Sequence, residues 1–241
     1  MNNLIVDIGN SRIKAAVFVR DKLIQEAAFE DLDALSVFSK GLDFSKCIIS
    51  SVKYTEEQLK ERLGFVFLFL DKETPIPINN LYQSPETLGV DRKAAVVGSR
   101  AIVKQGALLT IDLGSCITYE ILDGEDRYFG GSITPGLKMR FKSMNQYTAR
   151  LPLVDLEPWK VPALTGNTTE TCLQSGVYHG ILHEIEGFIH AYQKAYPELK
   201  VLICGGDSKV FESLTKDHIF VIPNLVLYGL NRILSYNVNL Q

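Results

Sequence analysis

Two stretches about half a chain apart follow one plan. Residues 4–17 read LIVDIGNSRIKAAV and residues 109–122 read LTIDLGSCITYEIL. In each, an apolar strand runs into Asp, one apolar residue, Gly and a small polar residue, and a second run with strand-like alternation follows. Two such hairpins predict a duplicated α/β fold, with an N-terminal lobe at 1–108 and a C-terminal lobe at 109–241. Glycine just after a strand permits a tight turn whose backbone N–H groups can face an anion, and the neighbouring polar side chains add donors. A single Asp-x-Gly-Asn is more often an ordinary turn. Paired turns from duplicated halves can face each other across a cleft and hold phosphate, with Asp7 offering hard oxygen to Mg²⁺.

The connecting stretches alternate in the way an α/β chain requires. Cys47 to Val52 and Phe65 to Leu70 read as strands, the second as a buried one, and Thr55 to Leu63 as a short polar-faced helix. Arg92 to Lys104 has Ala, Val and Ile at helical spacing. Thr168 and Thr169 are capping candidates for a long amphipathic helix reaching Tyr196. Val201 to Cys204 is a compact strand that enters Gly205-Gly206-Asp207-Ser208 and then another helix. Three prolines break the periodicity near 151–163, where a linker is expected.

Three further motifs could carry chemistry. Gly89-Val90-Asp91-Arg92 opens a helix; Asp91 could accept the proton of an attacking hydroxyl and Arg92 could grip a carboxylate in a bidentate fork. Capping the helix is an equally good reading of Asp91. A carboxylate is a weak base at neutral pH, but phosphoryl transfer depends mainly on positioning and charge stabilisation. Gly130-Gly131-Ser132-Ile133-Thr134-Pro135-Gly136 precedes a basic stretch with Lys138, Arg140 and Lys142 and could line a substrate or nucleotide pocket, an ordinary loop being at least as good a reading. Cys204-Gly205-Gly206-Asp207 leaves bare backbone at a strand end, where adenine or ribose could approach closely, although by itself the motif is more often a tight turn. His179 and His183 have i, i+4 spacing, but no HExxH pattern or cysteine pair accompanies them, so helix packing is expected.

Composition narrows the classes. The net charge of -3 comes from 25 basic and 28 acidic residues mixed along the chain, which leaves no basic stripe for nucleic acid. Cys47, Cys116, Cys172 and Cys204 form no CxxC pair and fit reduced thiols in a cytoplasmic protein. No apolar run approaches the roughly 20 residues of a membrane span, and the N-terminus reads as a strand, not a signal peptide.

Taken in order, the motifs resemble the type III pantothenate kinases of the actin-like ATPase and sugar kinase superfamily. The resemblance rests on DIGNSRIK at 7–14, Tyr82 and Pro85 ahead of LGVDR at 88–92, IDLGS at 111–115, GGSITPG at 130–136, TARLP at 148–152, GNT at 166–168 with QSG at 174–176, and CGGD at 204–207. It implies duplicated actin-like (ribonuclease H-like) domains with mixed sheets flanked by helices and a nucleotide cleft between lobes. It implies ATP-dependent phosphorylation of the 4′-hydroxyl of pantothenate, the first step of coenzyme A biosynthesis, by a cytoplasmic homodimer.

Carried over by position, the loop of Asp7, Ile8, Gly9, Asn10, Ser11, Arg12, Ile13 and Lys14 handles ATP and its Mg²⁺, and Ser115 contacts ATP. Asp112 binds a monovalent cation, K⁺ or NH₄⁺. Asp91 accepts the proton, and Tyr82, Gly89, Val90, Asp91, Arg92 and Thr168 bind pantothenate. Ser11 and Ser115 stand where the family commonly has threonine, which keeps the hydroxyl. A non-catalytic relative or a phosphohydrolase on the same fold are the competing classes. Asp7, Asp91, Arg92 and Asp112 together argue against the first, and Tyr82 with Arg92 against the second.

Overall fold

The computed structural model describes residues 2–156 and 160–240. In chain order the elements are β1 (Asn2–Ile8), β2 (Ile13–Val19), β3 (Lys22–Phe29), α1 (Leu32–Lys40), β4 (Lys46–Ser51), α2 (Glu56–Arg62), β5 (Leu68–Phe69), β6 (Asn79–Asn80) and α3 (Val90–Ile102). There follow β7 (Leu108–Leu113), β8 (Cys116–Leu122), β9 (Arg127–Pro135), α4 (Leu137–Gln146), α5 (Thr169–Ala195), β10 (Lys200–Cys204), β11 (Ile219–Val221) and α6 (Leu225–Val238). They form two compact units. The first contains Met1–Gln105, Asp126–Phe129 and Asn224–Gln241, and the second Gly106–Glu125 and Gly130–Pro223.

The first sheet has the order β3-β2-β1-β4-β5 and the second β11-β10-β7-β8-β9-β6. Read from β9, the second repeats the first, as β9-β8-β7-β10-β11, with β6 added outside. Both sheets are mixed: β1 and β7 pair antiparallel with the strand that follows each and parallel with β4 and β10 respectively. The sequence echo is therefore a repeat of topology. Asp7 is the register partner of Lys14, and Asp112 that of Thr118.

In the first unit Leu4, Val6 and Ile8 pack with Leu32 and Leu35 of α1 and Leu59 of α2, while α6 lies against β1, β2 and β4. Successive residues of β1 alternate faces, and Leu4, Ile5, Val6 and Ile8 are all fully buried, as expected of a central strand covered on both sides. α6 crosses α3 where Gly98 and Gly229 sit; a Cβ on Gly98 would lie 2.2 Å from the Leu225 carbonyl oxygen, and one on Gly229 1.8 Å from that of Ala94. The second unit packs Ile111, Leu113, Ile117 and Tyr119 against Phe141 of α4 and Val177, Ile181 and Ile185 of α5. Each fully buried aliphatic side chain such as Ile181 contributes about 2 kcal/mol.

The helix starts follow local chemistry. Thr55 and Gln58 form a reciprocal capping box on α2, and Thr168 and Thr171 form one on α5. The expected helices at 55–63, 92–104 and 168–196 thus appear within a residue or two. Elsewhere the elements differ. Of Phe65 to Leu70 only Leu68–Phe69 is a strand, and Val66 is 93% exposed. Phe65 and Phe67 instead pack edge-on in an aromatic group with Phe44. The helix after Gly205-Gly206-Asp207 is a 3-10 segment, Ser208–Leu214, kinked at Phe211. The expected linker has no regular structure at 151–156 or 160–163, and its residues 157–159 lie outside the described set. None of the four cysteines is in a disulfide. Among the described residues no helix is long and apolar enough to cross a membrane.

Candidate active site

In the first unit, the turn after β1 is closed by the Gly9 N–H donating to the Arg12 carbonyl at 3.1 Å. Asn10, Ser11 and Arg12 are exposed, and Asp7 and Lys14 are half-buried. As register partners on paired strands, Asp7 and Lys14 project from the same sheet face. The turn therefore offers backbone donors, a hydroxyl and cations beside a carboxylate.

The second cluster of the first unit stands at the start of α3. Gly89 is the N-cap and makes no side-chain cap bond, so Asp91 is not the cap; it lies in the first turn. Its Oδ1 accepts from the Arg92 N–H at 2.8 Å, and the carboxylate is exposed. A Cβ on Gly89 would come within 2.5 Å of that oxygen, so the bare glycine leaves space for the carboxylate. Arg92 is 8% exposed, with its guanidinium carbon 5.3 Å from the centre of the Tyr82 ring. An exposed carboxylate thus adjoins a buried guanidinium stacked on an aromatic ring. The next residue, Lys93, is buried and donates from Nζ to the Lys72 carbonyl at 2.7 Å; burial lowers its pKa.

In the second unit three sequence motifs converge. The Gly114 N–H donates to the Cys116 carbonyl at 3.0 Å, closing the second Asp-x-Gly turn. The Gly136 N–H donates to the Ser115 carbonyl at 3.1 Å, and a Cβ on Gly136 would fall 2.2 Å from the Gly114 oxygen. From the strand on the other side the Asp207 N–H reaches the Leu113 carbonyl at 2.9 Å. Gly205 has φ +96, and a Cβ there would meet Asp112 Oδ1 at 2.4 Å. Glycines at 136 and 205 thus keep side chains out of a cradle around Asp112 and Ser115. Burial raises the Asp207 pKa, assisted by Asp155 and opposed by Lys138.

Thr168 stands apart from that cradle. It lines a cavity of about 850 Å³ with Asn167, Cys172, Arg140 and Met144. Its hydroxyl accepts from the Thr171 N–H at 3.2 Å, so one residue starts α5 and faces the cavity. His179 lies 3.1 Å from the Pro162 carbonyl oxygen, a packing role.

Glu184 carries no signal in sequence, being one acid in a long helix, yet it is a hub of the second unit. It accepts from Tyr119 Oη at 2.8 Å, Thr134 Oγ1 at 2.7 Å and Arg140 Nη2 at 2.6 Å, while Arg140 Nε donates to the Pro135 carbonyl at 2.8 Å. The Gly130–Gly136 segment is thereby fastened to α4 and α5. Burial acts to raise the Glu184 pKa, but the bonds from Arg140, Thr134 and Tyr119 outweigh it and hold the carboxyl below the usual range. The stabilisation is present above the ordinary carboxylate pKa and is lost as pH falls through the lowered value. Glu184→Gln is expected to lower the melting temperature by about 5 °C at pH 7 and to flatten its decline in acid. An unchanged acid profile in thermal melts would count against this hub.

Taken separately, each unit offers groups that suit a phosphate. In the first, Asp7 presents oxygen ligands beside the turn after β1; in the second, the glycine cradle beside Asp112 leaves backbone open to an anion. Among the described residues no three His, Cys, Asp or Glu gather into a metal site, so a divalent ion here would take its other ligands from phosphate and water.

The repeated mixed sheets are the fold of the actin-like ATPases and sugar kinases. A glucokinase of the ROK family from Streptomyces griseus, solved with glucose and AMPPNP, superposes with a TM-score of 0.56 at 13% identity, over 98% of this chain and all of that one. A protein from Campylobacter jejuni described as a Baf family transcriptional activator superposes with a TM-score of 0.65 at 24% identity, over 98% and 99% of the two chains. The model of the type III pantothenate kinase family matches residues 3–191. The type III pantothenate kinases of Bacteroides fragilis and Phocaeicola vulgatus are 44% and 42% identical to this chain over 240 residues, with 98% of each chain covered. The chain belongs to the type III pantothenate kinase family.

Proposed function

We propose that the protein transfers the terminal phosphoryl group of ATP to the 4′-hydroxyl of pantothenate, giving 4′-phosphopantothenate and ADP in the first step of coenzyme A synthesis. The observation that carries the reading is the cluster at the start of α3, where the exposed Asp91 carboxylate adjoins a buried Arg92 stacked on Tyr82. This suits a substrate that presents a carboxylate to be gripped and a hydroxyl to be deprotonated.

In this reading Arg92 holds the pantothenate carboxylate in a fork, with Tyr82, Gly89 and Val90 around it and Thr168 as a further contact. The Asp91 carboxylate orients the 4′-hydroxyl and takes its proton as the oxygen bonds to the γ-phosphorus and the bond to the β-phosphate oxygen breaks. The turn from Asp7 to Lys14 supplies backbone N–H groups, the Ser11 hydroxyl and the cations Arg12 and Lys14 to the phosphates. Mg²⁺, when bound, neutralises the phosphate oxygens. Asp112 serves a monovalent cation, K⁺ or NH₄⁺, and Ser115 contacts the nucleotide. The division at 108/109 marks the duplication, and the enzyme works in the cytoplasm as a homodimer.

With ATP, Mg²⁺ and K⁺, purified protein is expected to release ADP in proportion to pantothenate, and exchanging K⁺ for Na⁺ is expected to lower the rate several-fold through weaker nucleotide binding, of the order of 1 kcal/mol. Absence of pantothenate-dependent ADP would refute the substrate. Indifference to the ion exchange would refute the role of Asp112.

A further inference from the structure

The Tyr82 N–H donates to Asn80 Oδ1 at 3.1 Å, but the segment that carries it is short and mostly exposed. It follows the two-residue strand β6, and Leu81 and the residues from Gln83 to Thr87 are exposed. What holds it is the short piece of β9 that belongs to the first unit. β6 pairs in parallel with Arg127 and Tyr128, the Asn79 N–H donates to the Asp126 carbonyl at 2.8 Å, and the Leu81 N–H to the Tyr128 carbonyl at 2.8 Å. The Tyr128 side chain is fully buried, and its ring lies nearly parallel to that of Tyr82, 14° between planes with centroids 6.3 Å apart.

The same piece is tied to the other end of α3. Asp126 occupies the left-handed region at φ 60, which aspartate tolerates better than most residues. Its carboxylate meets Arg100 Nε at 2.5 Å. The contacts close a ring on one helix: Arg100 of α3 to Asp126, along two residues to Tyr128, across to Tyr82, and back to Arg92 of α3.

We propose that Tyr128 is a positioning residue for the acid-binding pair: its ring fixes the plane of Tyr82, and Tyr82 fixes the guanidinium of Arg92 for the carboxylate of the substrate. The proposal rests on the reading that Tyr82 and Arg92 bind pantothenate. A guanidinium held in advance loses less freedom on binding a carboxylate, so the contribution falls on substrate affinity. The ring, not the hydroxyl, carries this role.

Steady-state kinetics of Tyr128→Leu, Tyr128→Phe and Asp126→Asn test it. Tyr128→Leu is expected to raise KM for pantothenate about 10-fold, with kcat and KM for ATP changed less than about 2-fold. Tyr128→Phe keeps the ring and is expected within about 2-fold of the parent on all three. Asp126→Asn, milder and compatible with the left-handed turn, is expected to raise KM for pantothenate about 3-fold, and it decides the matter if Tyr128→Leu does not fold. Unchanged KM for pantothenate, an equal loss on the ATP side, or a Phe variant as impaired as Leu would overturn the proposal. Arg92→Ala separates the two levels. If it raises KM for pantothenate while the Tyr128 and Asp126 variants do not, only the positioning role fails; if it leaves KM unchanged, the acid-binding assignment fails and the positioning role with it.

Discussion

Asp91→Asn is expected to cut kcat by about 100-fold or more while ATP binding and the fold persist. The asparagine keeps the size of the side chain and an acceptor oxygen for the Arg92 N–H that Asp91 Oδ1 now takes at 2.8 Å. The space beside Gly89 is also unaltered, so the start of α3 has no reason to shift. In the proposed role, what is lost is the capacity to accept a proton and the negative charge that orients the hydroxyl. Single-turnover phosphate transfer together with nucleotide titration would separate a loss of chemistry from a loss of ATP binding. A variant that retains kcat within a few-fold would remove Asp91 from the chemistry, whatever the substrate.

A large effect on stability is expected at Gly229. An added methyl would sit 1.8 Å from the Ala94 carbonyl oxygen, a backbone atom that cannot rotate away. α3 and α6, which meet at Ala94, Gly98, Leu225 and Gly229, would have to separate. Gly229→Ala is expected to cost about 3 kcal/mol, and to lower the melting temperature by about 10 °C. Gly187→Ala is the matched control, since nothing lies within 4 Å of its added carbon in the middle of α5, and helix propensity predicts a gain of about 0.5–1 kcal/mol. Equal melting temperatures for the two variants would show that the crossing is looser than the distances imply.

The residues most legible from sequence were those whose role is local. The turns at Asp7 and Asp112, the Thr168 cap and the helix opening at Gly89 each lie within a few neighbours, and each formed. β3 was missed because most of its residues face solvent and leave no apolar alternation. Phe65 to Leu70 was overread because an apolar run need not pair: Phe65 and Phe67 pack edge-on with Phe44, Val66 is exposed, and only Leu68–Phe69 joins a ladder. β6 is two residues long, too short for any period, and its partner lies almost fifty residues away. Glu184 is defined by Tyr119, Thr134 and Arg140, which share no spacing with it. The candidate site was thus readable as motifs, while the contacts that hold it were not.

The first unit includes α6, and this bears on how the protein is made. As the chain leaves the ribosome at about 5–20 residues per second, β1 to α3 emerge well before Leu225–Val238. Until then the buried face of α3 and one side of the first sheet have lost their cover, leaving an apolar surface open to chaperones or to wrong partners. The whole of the second unit has emerged by Pro223 and can consolidate earlier, although it is translated later than most of the first. The order of synthesis and the order of completion are therefore opposite, and the turn after β1 is secured only after the turn after β7.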